Sequence, residues 1–86
     1  MEVVFYGNIT KHTNGEKTFT PKNHSTLKAL IDELSDYYGE DFESIINGTE
    51  TNLLLVNNVG TALTGGLETP LNKGDKIEIL PFVEAG

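Results

Sequence analysis

The most regular hydrophobic pattern in the chain is a helical stripe. Leu27, Leu30, Ile31, Leu34 and Tyr38 recur at the three- and four-residue steps that place side chains on one face of an α-helix. Lys28, Asp32, Glu33 and Asp36 fill the opposite face. Ser25 or Thr26 can accept from the free N–H groups of the first turn. Gly39 follows the last periodic residue and is expected to close the helix in the left-handed conformation. Strand patterns flank this element. Residues 2–9 are rich in β-branched and aromatic types and predict a first strand. Its continuous apolar run, Val3 to Tyr6, suits a central strand covered on both faces. Gly7 is expected to mark a bulge or a close backbone approach. Thr10 to Gly15 reads as a turn-bearing connection, and Glu16 to Thr20 as an edge strand ending before Pro21.

Beyond the helix, Phe42, Ile45 and Ile46 have helical spacing and predict a further short turn of helix, broken at Asn47-Gly48. Leu53 to Val56 reads as a buried strand, with a turn beginning at Asn57-Asn58. Thr61 to Thr69, carrying Gly65-Gly66, is expected to be a loop around a short irregular strand. The last sixteen residues, Leu71 to Gly86, begin with turn chemistry. Gly74 is free to take a positive φ, and Asp75 can bond the nearby backbone. Ile77 and Ile79 then alternate with Lys76 and Glu78, the two-residue period of a half-buried strand. Pro81 has no N–H and is expected to end the strand or place it at an edge. Leu80 and Phe82 share the face opposite the isoleucines. The remaining tail at about 82–86 (Phe82, Val83, Glu84, Ala85 and Gly86) is too short to fold alone and is expected to be flexible. Extended, it reaches about 16–18 Å. Gly86 carries no side chain to obstruct another protein's active site. The expected working group is therefore the C-terminal carboxylate, with everything upstream serving as its handle.

Composition narrows what the rest can do. Eighty-six residues make one small domain with a modest core. There is no cysteine, which removes disulfides, thiolate metal sites and thiol nucleophiles together. The N-terminus lacks the pattern of a signal peptide, and Leu53 to Val56, the longest apolar run, is far below the ~20 residues of a membrane span. These features predict a cytoplasmic protein without membrane contact, in which the three Asn-X-Ser/Thr sequons are coincidental. Six lysines, no arginine and thirteen acids give a net charge of −7, which disfavours nucleic acid and suits solubility or steering toward a basic partner.

Side-chain chemistry is sparse. His12 and His24 fall in predicted loops and read as solvent-exposed. Asp32 and Asp36 share a helix face and repel slightly. The acids near Glu40 lack the spacing of a calcium loop. No Gly-Lys-Ser/Thr follows Gly65-Gly66, and no nucleophile elbow surrounds any serine. No metal, bound cofactor or catalytic constellation is expected, and the chain does not read as an enzyme.

The order strand, strand, helix, strand, short strand, strand implies an α+β fold: a ubiquitin-like β-grasp, with a mixed sheet of four to five strands and one main helix on one face. Val56-Asn57-Asn58, Thr69-Pro70-Leu71, Gly74 through Pro81 and the final Gly86 resemble the ubiquitin-like sulfur carriers of molybdopterin and thiamine synthesis (the MoaD/ThiS group). The resemblance is nearest to the small subunit of molybdopterin synthase. Element order matches throughout, and specific residues match over about the last third. Where that family ends in Gly-Gly this chain has Ala85-Gly86, and Phe82 replaces a common second proline. The resemblance implies that an E1-like enzyme uses ATP to adenylate the Gly86 carboxylate, and that sulfur then replaces one oxygen. It also implies that residues 80–85 bind partners, and that the sulfur passes to the large subunit of molybdopterin synthase or another acceptor. Two other roles fit the same residues: a ubiquitin-like modifier conjugated through Gly86, and a β-grasp interaction module without terminal chemistry.

Overall fold

A computed structural model of the protein describes residues 1–40, 42 and 52–81. Five strands form one mixed sheet: β1 (Glu2–Phe5), β2 (Thr18–Phe19), β3 (Asn52–Val56), β4 (Val59–Gly60) and β5 (Lys76–Pro81). Their order across the sheet is β2-β1-β5-β3-β4. β1 runs parallel to β5, while the other neighbouring pairs are antiparallel. The last strand in sequence therefore lies at the centre of the sheet. The helix α1 (Leu27–Tyr38) covers one face, which makes the α+β β-grasp arrangement read from the element order.

Alternation decides which face is covered. Val3 and Phe5 of β1 and Ile77 and Ile79 of β5 are buried, and they meet Leu27, Leu30, Ile31 and Leu34 of the helical stripe in one apolar cluster. Phe42 joins it, fully buried, with its ring 6.0 Å from that of Phe5 at an edge-to-face angle. Tyr38 packs on Phe5 in the same manner at 5.7 Å. Such pairs add to the area they bury because a positive ring edge meets a negative face. Burial of Tyr38 and its hydroxyl's bond to Glu16 (3.1 Å) raise the phenol's pKa well above its usual range.

Thr26 is the N-cap of the helix, its hydroxyl accepting from the Ala29 N–H at 3.3 Å. At the other end Gly39 departs from the expected left-handed closure. Its φ of 99° is positive, but its ψ of −176° turns the chain into an extended course. A Cβ at that φ would be strained, so the glycine is required for a different exit. Lys28 bonds Asp32 at 3.0 Å, answering the acidic run on the outer face.

Other expectations are revised. β1 stops at Phe5, because Gly7 takes a φ of 58° and opens a 3-10 turn over Gly7–His12 that tucks Ile9 into the core. β2 is an edge strand as anticipated, though only two residues long. The irregular strand expected within 61–69 lies earlier, at β4. Asn57 and Asn58, with φ of 50° and 70°, form the two-residue turn joining β3 to β4. Positive φ at both central positions matches the twist of paired strands, and asparagine tolerates it. Residues 61–69 instead contain two short 3-10 turns, Thr61–Leu63 and Gly66–Glu68. The predicted helical turn over 42–46 and its break at Asn47-Gly48 fall largely outside the described residues.

The turn before β5 is built as its residues suggest. Gly74 has a φ of 92°, and Asp75 accepts from the Asn72 N–H at 2.8 Å. The other carboxylate oxygen accepts from Asn57 Nδ2 at 2.9 Å, and Asn57 Oδ1 accepts from the Lys76 N–H at 3.0 Å. One carboxylate thus joins two turns. The Asn72 backbone bond and then the Asn57 side-chain bond hold its pKa below the usual range.

Two outcomes follow from this packing. Leu30→Ala removes a fully buried side chain from the helix–sheet seam and should cost about 2–5 kcal/mol in denaturant unfolding, whereas Thr26→Ala should cost only about 1 kcal/mol. The depressed folded pKa of Asp75 means that its contribution is complete above its unfolded value of about 3.9 and is lost as pH falls through the lower folded value. Stability measured against pH should therefore fall less steeply below about pH 4 in Asp75→Asn than in the parent.

Candidate functional site

The C-terminal tail continues in sequence from β5. This strand is hydrogen-bonded on both sides, to β1 over Glu2–Phe5 and to β3 over Asn52–Val56. Its end is held by the Tyr6 N–H, which donates to the Ile79 carbonyl at 3.0 Å. Pro81 is the last residue of β5 and pairs in register with Asn52. The proline ends a central strand; it does not mark an edge. Leu80 is half-buried on the face turned away from the helix. Of the other anticipated site residues, Phe82, Val83, Glu84, Ala85 and Gly86 lie outside the described residues.

The face away from the helix holds what the sequence did not disclose. Val4 of β1 and Leu55 of β3 both stand in register with Glu78, and both are half-buried. With Leu80 they form an open apolar surface next to the root of the tail. Glu78 lies in its middle and is only 8% exposed. Its Oε2 accepts from the Tyr6 hydroxyl at 2.7 Å. That bond, followed by burial and the nearby carboxylate charge, raises the Tyr6 pKa above its ordinary value. The sequence carried a signal for this pair: a glutamate between two isoleucines, and a tyrosine just past the strand it neighbours. Only the parallel register of β1 on β5 brings the two together.

At the opposite end of β5 is a shallow cavity of about 260 Å³, lined by Val56, Asn57, Val59, Thr69, Pro70 and Asp75 among others. Pro81 lies six residue steps along the chain from Asp75, about 20 Å, so this cavity lies far from the end of β5. His24 is not the free loop histidine expected. Its Nε2 lies 2.6 Å from Glu33 Oε1, and the same oxygen accepts from the Lys22 N–H at 3.0 Å. This contact fastens the segment before the helix onto the helix flank. Among the described residues, no group of three or more His, Asp or Glu side chains is placed to hold a metal ion. Among them, too, no helix is long and apolar enough to cross a membrane.

Known structures share this architecture. One chain of the Amycolatopsis orientalis BexX/CysO complex superposes with a TM-score of 0.83 at 26% identity, covering 99% of this chain and 98% of that one. The small archaeal modifier protein 1 of Methanosarcina acetivorans matches with a TM-score of 0.80 at 25% identity, over 99% and 94%. A chain of the complex between subunits 1 and 2 of the Helicobacter pylori molybdopterin-converting factor matches at 29% identity with a TM-score of 0.64, over 99% and 96%. No curated protein sequence matches the chain. The ThiS family matches residues 3–86, from the first strand through the tail. The chain belongs to the ThiS family and has the fold of its ubiquitin-like sulfur carriers.

Proposed function

We propose that this protein carries sulfur on its C-terminus. The Gly86 carboxylate attacks the α-phosphate of ATP within an E1-like adenylating enzyme, forming an acyl-adenylate and releasing pyrophosphate. A sulfur nucleophile supplied by that enzyme system then displaces AMP, and the tail ends as a thiocarboxylate. The ATP is the partner's substrate, and this chain binds no cofactor of its own. The observation that carries this reading is the ThiS-family match running through residue 86, joined to a central strand that leads directly into the tail.

In this reading the chain contributes placement, and the partner contributes catalysis. Five residues beyond Pro81 reach about 16–18 Å when extended, enough to thread a narrow channel. The expected acceptor is the large subunit of molybdopterin synthase. The resemblance of the last third of the chain favours it, as does the likeness to the Helicobacter pylori complex. The setting is cytoplasmic. A second reading, conjugation of Gly86 to lysines as a protein modifier, draws support from the archaeal modifier neighbour. It would be recognised by isopeptide-linked adducts in cell extract.

The deciding experiment is the intact mass after incubation with the adenylating enzyme, ATP and a sulfide source. A gain equal to exchanging one oxygen for sulfur is expected, and it should be absent when Gly86 is deleted. No gain, with an enzyme active on a Gly-Gly carrier, would refute the carrier role. The methyl group of Ala85 narrows the allowed φ and adds bulk in the channel. Ala85→Gly should therefore keep or raise the rate of sulfur loading, and Ala85→Val should slow it about tenfold, a barrier change of about 1.4 kcal/mol.

A further inference from the structure

Glu78 is more buried than a surface strand residue needs to be and less satisfied than a buried carboxylate should be. An ionised carboxylate has about four lone-pair sites. Among the described residues Glu78 receives one side-chain hydrogen bond, from the neutral Tyr6 hydroxyl. The ion pairs among those residues are His24–Glu33 and Lys28–Asp32, both on the helix side of the molecule. Lys76 and Glu2 lie on the same open face, but both are exposed at its margin, and Lys76 makes no ion pair with Glu78. On either side of Glu78 stand Val4 and Leu55. A charge held among apolar neighbours without a counter-ion is costly. An apolar residue at this position would serve the fold better.

We infer that Glu78 is one half of an ion pair completed by a partner protein. This rests on the carrier reading, and the occupant is the adenylating enzyme. It lays an apolar surface over Val4, Leu55 and Leu80 and brings a basic side chain to Oε1 of Glu78, the oxygen that accepts no side-chain hydrogen bond among the described residues. Arginine suits the position best. Its guanidinium is planar, is less strongly hydrated than an ammonium, and accepts burial against carboxylates and aromatic rings such as Tyr6. Charge complementarity supports a basic partner, since the chain carries −7 overall and has no arginine. Covering the face removes water from the pair and strengthens it. Glu78 also lies three residues before Pro81 on a strand bonded on both sides. The pair therefore fixes the end of β5, from which the tail continues in sequence, against the partner. Glu78 is a positioning residue, because it touches no reacting atom.

The test measures affinity for the E1-like adenylating enzyme of the same organism by calorimetry at low and high salt, alongside sulfur loading by intact mass. Glu78→Gln keeps the shape and an acceptor for Tyr6 but removes the charge. It should bind tenfold or more weakly, lose most of the salt dependence, and raise KM for loading while kcat at saturation is kept. Glu78→Arg should abolish measurable binding, and Tyr6→Phe should bind within about threefold of the parent, because the charge remains. Equal affinity of Glu78→Gln and the parent overturns the inference, as does a parent chain that does not bind the enzyme. A parent that binds without gaining sulfur defeats the carrier reading alone, and the Glu78→Gln affinity still decides the ion pair.

Discussion

The parallel pairing of β1 with β5 is the constraint on which the rest of the molecule depends. Two strands from opposite ends of the sequence can run side by side in the same direction only if the intervening chain crosses over one face. Here α1 makes that crossing, and its apolar stripe meets the isoleucines of β5 and the alternate residues of β1. The arrangement places the last strand at the centre of the sheet, where β3 bonds its other side. The tail thus emerges from the most firmly held backbone in the domain.

The sheet has two faces with different chemistry. One is the core, closed by helix and aromatic rings. The other stays open, half-buried and apolar, with a single carboxylate at its middle. The turns at the far end of β5 are tied together by Asp75. Two of the structures that this fold resembles, of the BexX/CysO pair and of the molybdopterin-converting factor, are complexes. The open face accords with that company.

Local chemistry made part of this legible in the sequence. The helix from Leu27 to Tyr38, its Thr26 cap, the Asn57-Asn58 turn and the Gly74-Asp75 turn all depend on neighbours within a few residues. What was not legible depends on distant partners. β1 was expected to continue to Ile9, because its composition favours a strand. The chain instead turns at Gly7, and Ile9 reaches the core from a 3-10 turn. β4 could not be located from pattern, since a two-residue strand has no period. His24 looked free because Glu33, nine residues on, faces it only once the helix has formed. Glu78 looked like an ordinary outward strand residue. Its burial depends on Val4 and Leu55, which the register brings from two other strands, and on Tyr6 just past β1. The tail was read from residue identity alone, with the terminal glycine as the signal.

The outermost strands, β2 and β4, are each two residues long. An unpaired strand edge is a template onto which another chain can add hydrogen bonds, and its hazard grows with its length. Edges this short offer a second copy almost no ladder on which to grow. For the carrier role proposed above, strand-to-strand sticking between copies would take the protein out of circulation. With the sides of the sheet closed to such growth, the flat of the sheet is the broad surface left on which contact can be made and broken without rebuilding the fold.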